Sequence, residues 1–507
     1  MKPLQNQIGR LGKHTTLYFI GTVLSKLVGF LMIPLYTRFL EPSEYGVIEL
    51  LDLTGYVVAF LASMGIANAV MRYYFHYDVE RERREVISTA ALFLLPCSAV
   101  MLSIMFAAAP ALARAILGSA LHADYFKLLA LILFFESALN FALSYVRALE
   151  KVALFLLVTS LKLILAVSLN VYFIAGLEWG VAGFLYSSLI SSGLFGTIML
   201  IAVMAQTGLR FNWKKCRAML SFGAPLVPAN LFELSLHYAD RYFLLAYGNL
   251  SAVGLYALGY KFGMLLSVFL VDPFTMMWGV SMYALEKNPE AKQIHAKVLT
   301  YLVMALSAGA LAISLLIADV LPLITTPAFY SASAVVPCIA LAYIFFGMYQ
   351  VVKSGLFLKD KTWLSSLILF IAALVNVVAN LILIPLYQAM GAAVATLVTF
   401  LVLFAMTAVL AVKVYGVRYE YLRLLKIAAL GFALFVVGEQ VDWGLLPNLG
   451  IKLLLLAAFP VGLYTFNVFD QAEKALISGV AHRVPGMLKI GAKKLDAASP
   501  SRRSFME

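Results

Sequence analysis

Residues 221–247 read SFGAPLVPANLFELSLHYADRYFLLAY, an apolar segment long enough to cross a bilayer that carries Asn230, Glu233, His237, Asp240 and Arg241. These positions run i, i+3, i+7, i+10 and i+11, so most of them share one helical face. A charge at the bilayer centre costs at least about 2.5–3.5 kcal/mol, so it faces a cavity, a partner or a substrate path. Similar intrusions recur in other lipid-compatible stretches: Lys26, Glu49 with Asp52, Glu136, Lys162 and Lys261. Repetition at this frequency implies a polar interior, and a polar interior points to movement of polar cargo.

The composition agrees. Of 507 residues, 63% are hydrophobic and 13% charged, where a soluble domain carries about 25% charged residues. With a mean hydropathy of +0.92, this reads as an integral membrane protein throughout. Residues 1–14 are polar and basic, and no cleavage site follows the first apolar run at about 15–37, so no cleavable signal is expected. The net charge of +12 reflects Lys and Arg gathered on one side of the membrane, not affinity for nucleic acid. Cys97 and Cys338 fall in apolar spans and Cys216 in a basic loop, with neither metal nor disulfide spacing, and no cofactor is expected.

Apolar runs give an all-α membrane protein of fourteen transmembrane helices, near 15–37, 45–70, 87–109, 124–146, 152–174, 179–205, 221–246, 251–273, 297–319, 335–357, 363–385, 390–412, 423–440 and 449–468. Even-numbered spans end at basic connectors, such as Arg81, Arg83 and Arg84, or Arg210, Lys214, Lys215 and Arg217. The opposite loops 175–178, 320–334 and 386–389 hold no Lys or Arg. Both termini are therefore expected in the cytoplasm, together with the basic tail of Lys489, Lys493, Lys494, Arg502 and Arg503. Pro34, Pro225 and Pro228 lie inside spans, where kinks can serve as hinges.

A duplication is legible. Ser43–Leu50 (SEYGVIEL) recurs loosely as Ser251–Leu258 (SAVGLYAL), Gly180–Gly183 matches Gly391–Val394, and the loop Glu150-Lys151 matches Asp360-Lys361, each about 210 residues later. Two parallel six-helix lobes are expected, with cargo between them. The implied organisation is an N-terminal segment 1–14, an N-lobe 15–206, a cytoplasmic linker 207–220, a C-lobe 221–413, spans thirteen and fourteen at 414–468, and a tail 469–507. The last two spans are short and aliphatic, with few polar groups inside. The repeat offset sets Glu233 beside the level of Lys26, and Lys261 near the level of Asp52. Lys26 and Lys261, with Arg241 or Arg38 as further candidates, then hold an anionic group, balanced by Glu233, Asp240, Glu49 and Asp52 and with Asn230 beside it. Asp240, Arg241, His237, Glu136 and Lys162 are candidates for coupling or charge balance. The competing reading has these charges bridge helices within the bundle, as for Glu136 with Lys162.

Residues 15–55, above all FLMIPLYTRFL at 30–40 and Ser43-Glu44-Tyr45-Gly46, resemble the start of polysaccharide and O-antigen flippases, the Wzx-type branch of the multidrug/oligosaccharidyl-lipid/polysaccharide exporter superfamily. Asp240-Arg241-Tyr242-Phe243-Leu244 and Gly391-Ala392-Ala393 are similar to it as well. The resemblance implies a V-shaped bundle around a cationic cavity and alternating access. It also implies a polyprenyl-pyrophosphate-linked oligosaccharide as cargo, flipped to the outer leaflet of a bacterial inner membrane for cell-surface polysaccharide synthesis. By the same likeness, Lys26 and Lys261 meet the pyrophosphate and the last two spans accommodate the lipid tail. Membrane lipids and a polysaccharide polymerase are the implied partners, and no enzymatic activity is implied. Relatives that flip peptidoglycan precursor carry more arginines in the first two spans, whereas span one here offers Lys26 and a terminal Arg38. Two rival readings are a cation-coupled multidrug antiporter, which typically stops at twelve spans with an acidic cavity, and a membrane glycan polymerase or ligase, which presents a large outer loop.

Overall fold

The computed structural model describes residues 29–286, 288–471 and 473–475. Lys26, the first half of span one and the basic tail lie outside them. Every regular element among the described residues is helical, and eleven helices are long and apolar enough to cross a membrane. In chain order the α-helices are α1 (Ile33–Phe39), α2 (Pro42–Ser63), α3 (Ile66–His76), α4 (Glu80–Ala107), α5 (Ala109–Leu117), α6 (Ala123–Ala148), α7 (Val152–Asn170) and α8 (Gly180–Thr207). There follow α9 (Trp213–Gly223), α10 (Leu226–Tyr238), α11 (Asp240–Tyr247), α12 (Leu250–Gly263), α13 (Asp272–Leu285), α14 (Ala291–Ile324) and α15 (Val336–Val352). The last four are α16 (Ser354–Phe357), α17 (Thr362–Tyr415), α18 (Tyr421–Glu439) and α19 (Leu445–Thr465).

The 54 residues of α17 would run about 80 Å as one rod, against a hydrocarbon core of about 30 Å. The helix instead breaks at Gln388 (φ 49°, ψ −126°), three residues after Pro385, inside the expected outer loop 386–389. Its two legs fold back so closely that a methyl group on Gly391 would strike the Leu383 carbonyl. Span seven departs from the single helix expected: a turn at Ala224 and Pro225 precedes α10, and α10 and α11 meet at a local break in the hydrogen-bond ladder at Ala239, whose backbone stays helical (φ −62°, ψ −29°). Pro225 and Pro228 supply no backbone N–H, so the helix arriving through Gly223 cannot continue unbroken. The linker is also more than a connector. It forms α9, capped by Asn212, whose side chain accepts from the amides of Lys214 and Lys215. Lys215 pairs with Glu85 of α4 at 2.8 Å, and Cys216, expected in a basic loop, is buried.

Pairs of positions 210 residues apart share a positive φ. Glu150 and Asp360 both take left-handed conformations (φ 55° and 53°) just after helix ends, and the amides of Lys151 and Lys361 reach back to the carbonyls of Val146 and Leu356. Glu178 and Gln388, also 210 residues apart, are left-handed too (φ 56° and 49°). The recurring segments SEYGVIEL and SAVGLYAL belong to α2 and α12 and pack on each other. A methyl on Gly46 would collide with the Leu250 carbonyl, and one on Gly254 with the Pro42 carbonyl, each four residues before the other glycine. Small residues are what allow such backbone approach between membrane helices. Around this crossing Ile33, Tyr45, Leu258, Leu321, Phe329 and Val336 form one apolar cluster, at the helix ends that carry the expected outer loops.

Gly254→Ala is expected to destabilise the protein by about 1–3 kcal/mol, as overpacking does. Gly279→Ala in α13, where an added methyl meets nothing within 4 Å, is expected to be neutral or slightly stabilising. Thermal unfolding of the two detergent-solubilised variants measures this, and equal melting temperatures would contradict the packing described.

The described residues divide into two compact units, one ending at Tyr419 and the other beginning at Glu420. The second holds α18 and α19, and Arg423 of α18 reaches Glu420 at 3.2 Å and, in the segment after α19, Glu473 at 3.5 Å and Asp470 at 3.6 Å. It is less plain than expected, because Asn448 and Lys452 of α19 are buried.

Candidate functional site

Of the expected site residues, Lys261 has the clearest geometry. It sits in the last turn of α12 and reaches across to α2, where Nζ lies 2.9 Å from Glu49 and donates to the Tyr45 hydroxyl at 3.0 Å. Glu49 and Tyr45 lie one turn apart on α2, so one face of that helix holds the ammonium. The two partners differ in exposure: the Lys261 side chain is 34% exposed and that of Glu49 8%. The lysine therefore retains an open side. Asp52, expected at the level of Lys261, lies within electrostatic reach of Lys261, Glu49 and Glu136 and has no hydrogen bond or ion pair among the described residues.

The rest of the charged line in span seven splits at Ala239. Asp240 and Arg241, candidates for coupling or charge balance, are sealed in the core at 2% and 0% exposure. Arg241 Nη1 bonds the Asp240 carboxylate at 2.7 Å and the His237 carbonyl at 2.6 Å. Its guanidinium lies over the Tyr260 ring at 4.0 Å and near Tyr256 and Tyr238. The Tyr256 hydroxyl and Thr396 Oγ1 donate to the other carboxylate oxygen of Asp240. The pair is neutral, walled by aromatic rings and closed to cargo.

N-terminal to the break, Glu233 and His237 point into a cavity of about 460 Å³ bounded by α10, α12, the π-helical turn Ser267–Val271, α13 and α15. Glu233 is exposed there, and His237 Nδ1 lies 3.3 Å from the Tyr343 hydroxyl and 3.4 Å from that of Tyr260. Asn230 is half-buried outside this lining. Asp272, Gln350 and Lys353 complete the polar wall. Asp272 was passed over, although an acid inside the apolar stretch 264–285 is visible in the sequence. Lys353 lines the cavity as well, with Nζ 5.2 Å from the centre of the Tyr349 ring. Lys162 donates to Glu136, joining α7 to α6 as an internal pair. No group of three or more potential metal ligands occurs among the described residues.

Comparison with known proteins agrees with this architecture. The sequence pattern of the family described as polysaccharide biosynthesis protein matches residues 11–278. Among solved structures, the chain is similar to a lipid II flippase MurJ in an inward closed conformation, at 13% identity and a TM-score of 0.73, over 90% of this chain and all of that one. It is also similar to an inward-facing multidrug-resistance MATE transporter of the MOP superfamily, at 15% identity and a TM-score of 0.63, over 77% of this chain and 94% of that one. A Vibrio cholerae MATE transporter matches at 15% identity and a TM-score of 0.57, over 82% of this chain and 98% of that one. At such identities the likeness is one of fold. No curated protein matches the sequence. With more than half its length matched, this multi-pass membrane chain belongs to the polysaccharide biosynthesis protein family and has the fold of the superfamily that the residues around Tyr45-Gly46 resemble.

Proposed function

We propose that this protein flips a polyprenyl-pyrophosphate-linked oligosaccharide from the cytoplasmic to the outer leaflet of a bacterial inner membrane by alternating access, with both termini in the cytoplasm. The observation that carries the reading is Lys261: a part-exposed ammonium at the junction of α2 and α12, balanced by a buried carboxylate and beside Asp52, which has no ion pair among the described residues. Such a cation binds a diphosphate as a charge-assisted hydrogen-bond donor. Lys26 is assigned the same task by its place in the repeat. The geometry shared by Glu150 with Asp360, and by Glu178 with Gln388, supports two lobes of common descent that rock about their interface. Because α2 and α12 are in contact at Gly46 and Gly254, outward opening must separate them and break the Lys261–Glu49 pair.

The test is a leaflet-resolved assay in proteoliposomes with two cargoes, a pyrophosphate-linked and a neutral lipid-linked glycan. The expected result is transport of the first at least about tenfold faster, the worth of one or two charge-assisted contacts. Equal transport of both would sink the cationic site.

A further inference from the structure

The cavity beneath His237 has features that the pyrophosphate does not explain. Its volume of about 460 Å³ falls within the range of small-molecule sites, about 300–1,000 Å³. The Gln350 side chain is 7% exposed, and its Oε1 has no hydrogen-bond partner among the described residues. A buried amide oxygen left without a donor is destabilising unless a ligand or water supplies one. Glu233 stands exposed on the same wall without an ion pair among the described residues, and Lys353 faces it without closing one. The remaining surface includes the aromatic side chains of Tyr238, Tyr343 and Phe346.

We propose that this cavity is a sugar subsite, which receives one uncharged hexose or N-acetylhexosamine residue of the cargo glycan; the inference rests on the flippase reading above. An apolar, aromatic wall suits the C–H face of a pyranose ring, while a few placed polar groups fix its hydroxyls. Gln350 Oε1 takes a hydroxyl or acetamido N–H, and Glu233 and Lys353 hold the neighbouring hydroxyls. Glu233 and Asp272 outnumber Lys353, so a uronic acid is rejected by like charge. The same balance leaves the diphosphate at Lys261 rather than here.

The experiment is saturation-transfer NMR on the full-length protein in nanodiscs. The probes are the methyl glycosides of glucose, galactose, N-acetylglucosamine and N-acetylgalactosamine, with methyl glucuronide as the charged comparison. At least one neutral probe is expected to bind, and to lose about tenfold in affinity in Gln350→Met, the worth of one hydrogen bond to a buried acceptor. Methyl glucuronide is expected to bind Glu233→Gln and not the wild type. The proposal is overturned if no neutral glycoside binds, or if binding ignores both Gln350→Met and Glu233→Gln. Flipping of pyrophosphate-linked glycan without Gln350-dependent sugar binding overturns the subsite alone, whereas sugar binding without flipping overturns the flippase reading alone.

Discussion

Replacing Arg241 with methionine is expected to cost about 3–5 kcal/mol of stability, because it strands the Asp240 carboxylate in a site 2% exposed. The guanidinium neutralises that carboxylate at 2.7 Å and fills the space between Tyr238, Tyr256 and Tyr260. Methionine has the bulk to occupy the aromatic box but not the charge. The decisive companion is Asp240→Asn/Arg241→Met, in which the asparagine oxygen still accepts from Tyr256 and Thr396 while no net charge remains. Removing a buried pair as a unit is close to neutral, unlike removing one partner, so the double variant should recover most of the loss. Thermal unfolding of solubilised protein and the monodisperse yield on gel filtration report both variants. An Arg241→Met protein as stable as the wild type would mean that Asp240 is not a buried anion. A double variant as damaged as the single one would mean that the ring packing around the guanidinium, and not its charge, holds the site.

That pair also marks the limit of what the sequence discloses. Apolar runs located the helices because the bilayer forces backbone hydrogen bonds inside each segment, and hydropathy reads that constraint directly. The turn at Gln388 was legible for the same reason, as a short polar interruption after Pro385. Partnership among charges was not. Consecutive residues on an unbroken helix point about 100° apart, so Asp240 and Arg241 gave no sign of bonding each other. They do so because the Arg241 side chain turns back along the helix to the His237 carbonyl, which brings Nη1 within 2.7 Å of Asp240 Oδ1. Lys261 and Glu49 are 212 residues apart in the chain, and only the meeting of Gly46 with Gly254 sets their register. The repeat offset brought Lys261 to the correct helix pair but one turn away from its partner, at Asp52 instead of Glu49. Glu136 with Lys162 was foreseeable because consecutive spans lie side by side. The lining of the cavity at His237 was legible only in part, since Lys353 sits near a helix end, where long cationic side chains commonly reach for water.

Lys261→Met should lower flipping of pyrophosphate-linked glycan by about 10–100-fold, the loss of a charge-assisted contact of about 1.5–3 kcal/mol. Taken alone the result would be ambiguous, because the substitution also leaves Glu49 buried without its counter-charge, and that can unfold the protein. Lys261→Met/Glu49→Gln removes both charges and keeps the shape of the α2–α12 contact, so it should fold and still fail to flip. Lys261→Arg keeps a cation within reach of Glu49 and Tyr45 and should retain part of the activity. Glu49→Gln leaves the lysine in place with its strongest internal partner weakened. Its effect separates two tasks that the present geometry combines. If Glu49 mainly holds the lobes together at Gly46 and Gly254, the variant should open more readily and flip neutral and pyrophosphate-linked lipids with less discrimination. If it mainly restrains Lys261 until cargo arrives, the variant should bind the diphosphate more tightly and release it more slowly. Binding of a short-chain prenyl pyrophosphate, measured beside the flipping rate, distinguishes these outcomes. Wild-type flipping by the double variant would show that the lysine only bridges two helices, and the cationic site would then have to be sought away from α12.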